Sequence, residues 1–482
     1  MMTRMERHSA KEHPIKLTIN NPSKSVVIGS LHVLILIVIF MIDGINYQAK
    51  IALFAFLSAM IFWMATKIPA GFVALSLIVF IIIMNAGEAD LLYQSLSEEV
   101  VWLMIGSFII GEAVKESGLA NRLTFSLLKN QNTKNNVLLG VCSVLFASAF
   151  LIPSTSGRAA LSMPMIHQLS QKFAASEQRV LAIMTPVIIL MSTSVTLIGA
   201  GSHLIGVGLL ESTVDQSISY VQWLIWGVPF ALVMTFLSFL IIKIFLWPID
   251  GWQEIGHKKR EEEGKPKEKI NGKEKKTMIL VSLLVVCWMT ESIHGYDLAF
   301  ITMVGAVLVM TPNMGIISWK QGIKSISWNL ILFVAAATAL GKVLVDTGVV
   351  NWMEKNMLSV LHLFNDAPDW FIVLMILTVT VTSHLYITSH TTRAIVFIPG
   401  FLLISETIGV NPSAVVFLSL IGMNYCVTLP VSSKALLLFY EDDNISYDAR
   451  HLVKLSAILM PLYLMVIMVF YFTYWRWMGL QL

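Results

Sequence analysis

SEEVVWLMIGSFIIGEAVKESGLAN, from Ser97 to Asn121, aligns without a gap on SWNLILFVAAATALGKVLVDTGVVN, from Ser327 to Asn351. Ser97, Gly111, Gly118 and Asn121 return as Ser327, Gly341, Gly348 and Asn351, at an offset of 230. Two further pairs follow in the same order. Ser154 to Pro164 (STSGRAALSMP) matches Ser389 to Pro399 (SHTTRAIVFIP) at an offset of 235, and Gly199 to Ile205 matches Pro430 to Leu436 at 231. One match between apolar segments arises by chance. Three in order, with so little drift, read as an internal duplication.

The duplicated material belongs in a membrane. Of 482 residues, 56% are hydrophobic and only 13% are charged, whereas a soluble surface takes about 25% charge. The runs Leu31 to Ile42, Ile68 to Met84, Val180 to Ile198, Val221 to Trp247 and Leu455 to Tyr474 are nearly free of charge. Several approach the ~20 residues that span a ~30 Å hydrocarbon core. Backbone groups in lipid must bond within their own element, so these runs read as helices. The ~10-residue alternation of a membrane β-barrel is missing from them. No cleavable signal peptide is expected, because residues 1–25 are polar and basic and no small-residue cleavage site follows. Cys142, Cys287 and Cys426 all lie in apolar segments, which argues against both a disulfide scaffold and a zinc site. A net charge of +3 is too small to point to nucleic acid.

Charge distribution sets the expected topology. Arg4, Arg7, Lys11, Lys16 and Lys24 precede the first apolar run, and residues 248–276 carry Lys258, Lys259, Arg260, Lys265, Lys267, Lys269, Lys273, Lys275 and Lys276. The positive-inside rule puts both regions in the cytoplasm. An even number of crossings must then separate them. Six fit, at about 26–42, 51–66, 68–85, 136–153, 178–201 and 221–247, followed by five at about 277–293, 298–311, 370–388, 412–429 and 452–474. The apolar stretches Val100–Gly111 and Leu330–Gly341 rise only about 18 Å as helices, so each is read as an arm of a re-entrant hairpin. The expected fold is an all-α membrane protein of about 11 transmembrane helices plus two re-entrant hairpins. It divides into a cytoplasmic segment 1–25, a first half 26–247, a charged linker 248–276 and a second half 277–482. By this count the hairpins enter from opposite faces, giving two inverted-topology repeats, an architecture of secondary transporters.

Polar residues deep in apolar surroundings carry the chemistry. Pro153-Ser154-Thr155-Ser156-Gly157-Arg158 and Thr388-Ser389-His390-Thr391-Thr392-Arg393 each lie between apolar stretches. Irregular backbone survives at membrane depth only inside protein or along a cavity. Pro, Gly, Ser and Thr break one helix and cap the next, so new helices are expected near Gly157 and Thr392, with amide ends that attract anions. Ser154, Thr155, Ser156, Ser389 and Thr391 add hydroxyls. The bland alternative is capping alone. Arg158 and Arg393 each cost about 2.5–3.5 kcal/mol at a helix centre on insertion scales, which makes them functional candidates. Their planar forks suit carboxylates, and the structural alternative is an ion pair with Glu112, Glu116 or Asp346. The third repeat pair adds Gly199, Gly201 and His203 against Pro430, Ser432, Ser433 and Lys434 as a candidate extension of the site. Lys434 snorkelling to the interface is an equal alternative. Trp247, Trp252, Trp475 and Trp477 fit an interfacial aromatic belt.

On these residues the sequence resembles the divalent anion:sodium symporter family, the INDY-type carriers. That family has two Ser-Asn-Thr motifs at hairpin tips, each followed by small residues and a proline. Ser154-Thr155-Ser156 and Ser389-His390-Thr391 fall on the motifs, and Pro164 and Pro399 on the prolines. Gly199 to Ile205 is similar to one of the family's unwound segments, and Leu429-Pro430-Val431 to the start of the other. The resemblance implies an elevator-type carrier of di- or tricarboxylates or sulfate in the plasma membrane, with a cytoplasmic N-terminus and a homodimeric assembly. It implies sodium beside each tip, here near Ser154, Thr155 and Gly199, with no other cofactor. Both motif asparagines are replaced, by Thr155 and His390, and each motif gains an arginine. Arg158 and Arg393 are therefore expected to stand in for sodium's charge, in a sodium-independent exchanger.

The rival readings are weaker. Neither His-Glu-x-x-His nor a nucleophile motif occurs, so an enzyme is not expected, and the lack of a Walker motif argues against an ATP-driven pump. An anion channel, or a permease for an inorganic oxyanion or metalloid, remains the alternative.

Overall fold

The computed structural model describes residues 24–66, 68–119, 122, 133–150, 152, 154–171, 173–248, 271–312, 315–349, 351–352, 355–356 and 367–482. Every regular element among them is helical. The chain divides into two compact units, one ending at Asp43 and one from Gly44 to Leu482. The first contains α1 (Lys24–Met41), an apolar helix of 18 residues.

The second unit begins with α2 (Tyr47–Ala65), α3 (Ala70–Ile83), α4 (Glu99–Ser117), α5 (Lys134–Ser148), α6 (Thr155–Ser170), α7 (Ala175–Met191), α8 (Gly201–Val214) and α9 (Tyr220–Phe245). After the linker come α10 (Gly272–Met289), α11 (Leu298–Met310), α12 (Trp328–Asp346), α13 (Asp369–Thr382), α14 (His390–Ile408), α15 (Pro412–Asn424), α16 (Lys434–Tyr440) and α17 (Ala449–Phe470). Five described helical stretches are long and apolar enough to cross a membrane: Ala175–Val195, Tyr220–Phe245, Trp328–Asp346, His390–Ile408 and Ala449–Trp475. Burial follows the same logic. α9 turns Leu232, Phe236 and Ile244 outward and buries Thr235 and Ser238, the reverse of a soluble helix.

Two readings of the sequence need correction. Val100–Gly111 and Leu330–Gly341 are not short hairpin arms. They lie inside α4 and α12, 19 residues each, a rise of about 28 Å. The apolar run of α4 stops at Glu112, but the helix continues, because Lys115 donates to Glu112 at 3.0 Å on its own surface. Conversely, the segments counted as crossings at 136–153 and 370–388 are α5 and α13, of 15 and 14 residues. Each is followed, after a short polar stretch, by the next helix, α6 or α14, and these helix–turn–helix segments are the candidates for the two hairpins. The linker also ends early, since α10 starts at Gly272. Residues 249–270 and the N-terminal segment 1–23 lie outside the described residues, as does Trp252. Trp475 is no belt residue: it is buried among Phe230, Phe417 and Phe470, and its Nε1 donates to the Trp226 carbonyl at 2.9 Å.

The packing follows the duplication. α7 and α15 break at corresponding places, into 3₁₀ turns at Thr193–Val195, Leu197–Gly199 and Pro430–Ser432. Past each break, the resumed helix crosses to the hairpin of the opposite half: α8 packs on α14, and α16 on α6. The breaks are stapled at equivalent points. Thr196 Oγ1 donates to the Ala149 carbonyl at 3.1 Å, while Thr428 Oγ1 lies 2.7 Å from His384 Nε2. Outside the first break, Trp223 Nε1 on α9 donates to the Ser194 carbonyl at 3.0 Å. Gly227, one turn on, lies so close to the same carbonyl that a Cβ has no room. Gly227→Ala is therefore expected to force α9 off the broken segment and cost roughly 1–3 kcal/mol. A lower melting temperature of the purified protein checks this, and an unchanged one contradicts the packing.

Candidate functional site

Three helix N-termini and one short helical turn converge on a single cavity of about 400 Å³. α6 brings Ser154, Thr155 and Ser156, α14 brings Ser389, His390 and Thr391, α8 brings Gly201 and Ser202, and the seven-residue α16 brings Ser433 and Lys434. The helices start two residues earlier than the sequence suggests, because Ser154 and Ser389 themselves are the caps. Ser154 Oγ accepts from the Gly157 amide and Ser389 Oγ from the Thr392 amide, both at 3.2 Å. A capping hydroxyl keeps its own O–H free to donate. The wall thus offers hydroxyl donors and partial positive charge from aligned peptide dipoles. Among the described residues no carboxylate lines it, and Lys434 supplies an ammonium. Such a wall suits an anion.

The opposite wall comes from α4 and α12, the helices of the first repeat match. They contribute Met104, Ser107, Phe108 and Leu330. The polar clusters give no hint of this wall. The signal for it lies in the 97–121/327–351 duplication, which the length of the apolar runs disguises as a pair of hairpins.

Arg158 and Arg393 do not line the cavity. They are 1% and 0% exposed and lie behind it. Arg158 donates through Nη1 to Ser192 Oγ at 3.0 Å and through Nη2 to Thr193 Oγ1 at 3.1 Å. Those hydroxyls donate onward to the Ile188 and Ile189 carbonyls at the end of α7. Arg393 donates through Nη1 to the Tyr425 carbonyl at 3.3 Å, at the end of α15. Each guanidinium therefore sits at the C-terminal, electronegative end of a broken helix. Among the described residues neither is paired with a carboxylate, so the ion pairs with Glu112, Glu116 or Asp346 are not made.

Of the third pair, Gly201, Ser433 and Lys434 reach the cavity, while Gly199, His203, Pro430 and Ser432 are buried away from its wall. Gly199 is pressed against the Thr193 carbonyl. His203 lies on the Trp223 ring at 4.5 Å between centroids, with Nε2 3.0 Å from Asn424 Oδ1 and Nδ1 3.2 Å from the Thr196 carbonyl. It ties the first break to the end of α15. His390 Nε2 lies 3.3 Å from Cys426 Sγ. Among the described residues no three His, Cys, Asp or Glu side chains are grouped to hold a metal ion.

Comparisons with known proteins identify the family. A family model described as the sodium:sulfate symporter transmembrane region matches residues 23–481. A membrane protein of Cupriavidus necator is 23% identical over 96% of this chain and 91% of its own length. The sodium-dependent dicarboxylate transporter SdcS of Staphylococcus saprophyticus is 20% identical over 92% of this chain and 90% of its own. The L-tartrate/succinate antiporter of Escherichia coli K12 is 23% identical over 54% of this chain and 55% of its own. Among solved structures, the YdaH transporter of Alcanivorax borkumensis superposes with a TM-score of 0.60 at 12% identity, over 94% of this chain and 99% of that one. The last likeness is one of fold.

Ser154 separates capping from ligand binding. Ser154→Ala should lose about 1 kcal/mol of cap energy, and Ser154→Gly only a few tenths. Both remove the hydroxyl and should weaken anion binding alike. Melting temperatures with and without succinate check this: the ligand-free value should fall for Ala more than for Gly, and the succinate-induced rise should shrink equally in both.

Proposed function

We propose a cargo and a working cycle for this chain, which belongs to the sodium:sulfate symporter family: it exchanges small dicarboxylates across the membrane without sodium. The observation that carries this reading is the placement of Arg158 and Arg393. Secondary carriers commonly hold their coupling cation with unwound carbonyls and half-helix C-terminal ends. In this chain those ends already hold guanidinium groups, bound to Ser192, Thr193 and the Tyr425 carbonyl. The same oxygens are then no longer available to a sodium near Ser154, Thr155 and Gly199. One relative's name describes a sodium-dependent transporter and another's an antiporter. The arginines favour the second manner of working.

A fixed charge also explains why exchange should be obligatory. A sodium-coupled carrier discharges its site by releasing the ion. Arg158 and Arg393 cannot leave, so an empty site carries uncompensated positive charge, which is costly in hydrocarbon. A bound dianion offsets two of the three fixed positive charges of Arg158, Arg393 and Lys434, and only the loaded carrier crosses readily. One substrate carboxylate meets Lys434 and the other meets the hydroxyl and amide wall of Ser154, Thr155 and Ser156. His390, Ser389 and Thr391 close the second half of the site, and Arg158 and Arg393 act through their field. The cavity leaves room for a carbon skeleton, which favours a dicarboxylate over sulfate.

In this cycle the hairpins, the broken helices, α9 and α17 move as one body against α4 and α12, an elevator. The two halves insert with opposite sense, so the site opens to either side in turn. The N-terminal segment and the linker 248–276 lie in the cytoplasm, the membrane is the plasma membrane, and two copies form a homodimer.

Reconstituted vesicles test the reading. Uptake of labelled succinate should require unlabelled succinate inside and proceed equally in sodium and choline media. Accumulation in vesicles without internal dicarboxylate, driven by a sodium gradient and abolished in choline, would sink it.

A further inference from the structure

Ser107 on α4 and Ser202 on α8 line the cavity, and they are 6% and 1% exposed. Among the described residues neither hydroxyl has a hydrogen-bond partner. That is unusual for helical serines and threonines in this chain, which mostly bond back to their own helix. Ser117 donates to the Val114 carbonyl at 2.7 Å, Ser162 to Ala159 at 2.8 Å and Thr185 to Leu181 at 2.9 Å. Ser58, Thr235, Ser238 and Ser419 also lack partners, but they do not line the cavity. An orphaned buried hydroxyl costs about 1–3 kcal/mol.

The duplication shows that the fold does not need these two groups. The position equivalent to Ser107 is Ala337, buried with no hydroxyl at all. The position equivalent to Ser202 is Ser433, which is not an orphan: its hydroxyl accepts from the Ala435 amide at 3.2 Å in capping α16. α8 is started by Ala200 without a side-chain cap, which leaves Ser202 unused. Among the described residues, buried cavity hydroxyls without any partner come only from the first half, and from two different helices.

We infer that Ser107 and Ser202 form a subsite for a hydroxyl on the substrate's carbon skeleton, so that the carrier prefers a hydroxydicarboxylate to the bare acid. This rests on the dicarboxylate reading above and narrows it. The chemistry distinguishes a hydroxyl from a carboxylate. A serine hydroxyl both donates and accepts, whereas a carboxylate only accepts. Two serines are fully satisfied by a group that gives a hydrogen bond to one and takes one from the other. A site built for such a group discriminates against an analogue lacking it, because its own polar atoms are then left buried and unpaired.

The test is displacement of labelled succinate from the full-length protein in vesicles by malate and by unlabelled succinate. Malate should bind about tenfold more tightly, the ratio given by ~1.4 kcal/mol. Ser107→Ala and Ser202→Ala should each weaken malate more than succinate and bring the ratio towards one. Equal affinities in the unaltered protein overturn the subsite, and that comparison needs no variant to fold. Variants that weaken both acids by the same factor overturn it too. If neither acid is exchanged, the dicarboxylate reading falls and the subsite falls with it. Exchange with equal affinities removes the subsite alone.

Discussion

A helix broken inside hydrocarbon leaves bare amides on one side of the gap and bare carbonyls on the other, and everything else in this molecule answers that problem. Unpaired backbone groups in lipid each cost several kcal/mol. The carbonyl ends of α7 and α15 are met by guanidinium groups and by the hydroxyls of Ser192 and Thr193. The amide ends of α6, α8 and α14 are turned together, partly capped by Ser154 and Ser389, and directed into one cavity. Separating the two kinds of end leaves a space whose residual polarity is positive. The substrate class follows from how the backbone was made tolerable.

The breaks hold only because the surrounding helices are tightly fitted to them. Trp223 donates to the Ser194 carbonyl, and Gly227 lets α9 come close enough for that contact. His203 reaches across from the first half to Asn424 at the end of α15. Thr428 joins His384 to Ser456 through contacts of 2.7 and 2.6 Å. These ties join the two breaks to each other and to α9, α17 and the end of α13.

Much of this is legible in the sequence, and what is not has physical causes. The duplication, the helical class and the polar tips at Ser154 and Ser389 can be read directly. A cluster of Ser, Thr, Gly and Arg within an apolar stretch is too costly in lipid to persist unless it is buried in protein or lines a cavity. The placement of the hairpins fails on length. An apolar run measures where charge begins, and α4 carries Glu112 and Lys115 within its last turns as a surface pair. The arginines stand out as functional candidates, but residue type cannot tell a group facing a ligand from one holding a helix end behind it. Ser107 leaves no trace at all, since a single serine in an apolar helix is ordinary until a cavity is found beside it.

In the proposed cycle duplication gives two equivalent gates, but a strictly duplicated site suits a symmetric ligand. The two halves have diverged where it matters. Lys434 faces the cavity, while its counterpart His203 is turned inward to Asn424. Thr155 faces it from one tip and His390 from the other. Ser107 and Ser202 are buried hydroxyls without a partner in the first half, whereas their counterparts are Ala337, with no hydroxyl, and Ser433, which accepts from the Ala435 amide. The ammonium thus lies on one side of the cavity and the spare hydroxyls come from the other half. A molecule with a different group at each end has one preferred orientation in such a space. In the proposed cycle the repeat supplies the means of opening to both faces, and its departures from symmetry supply the selectivity.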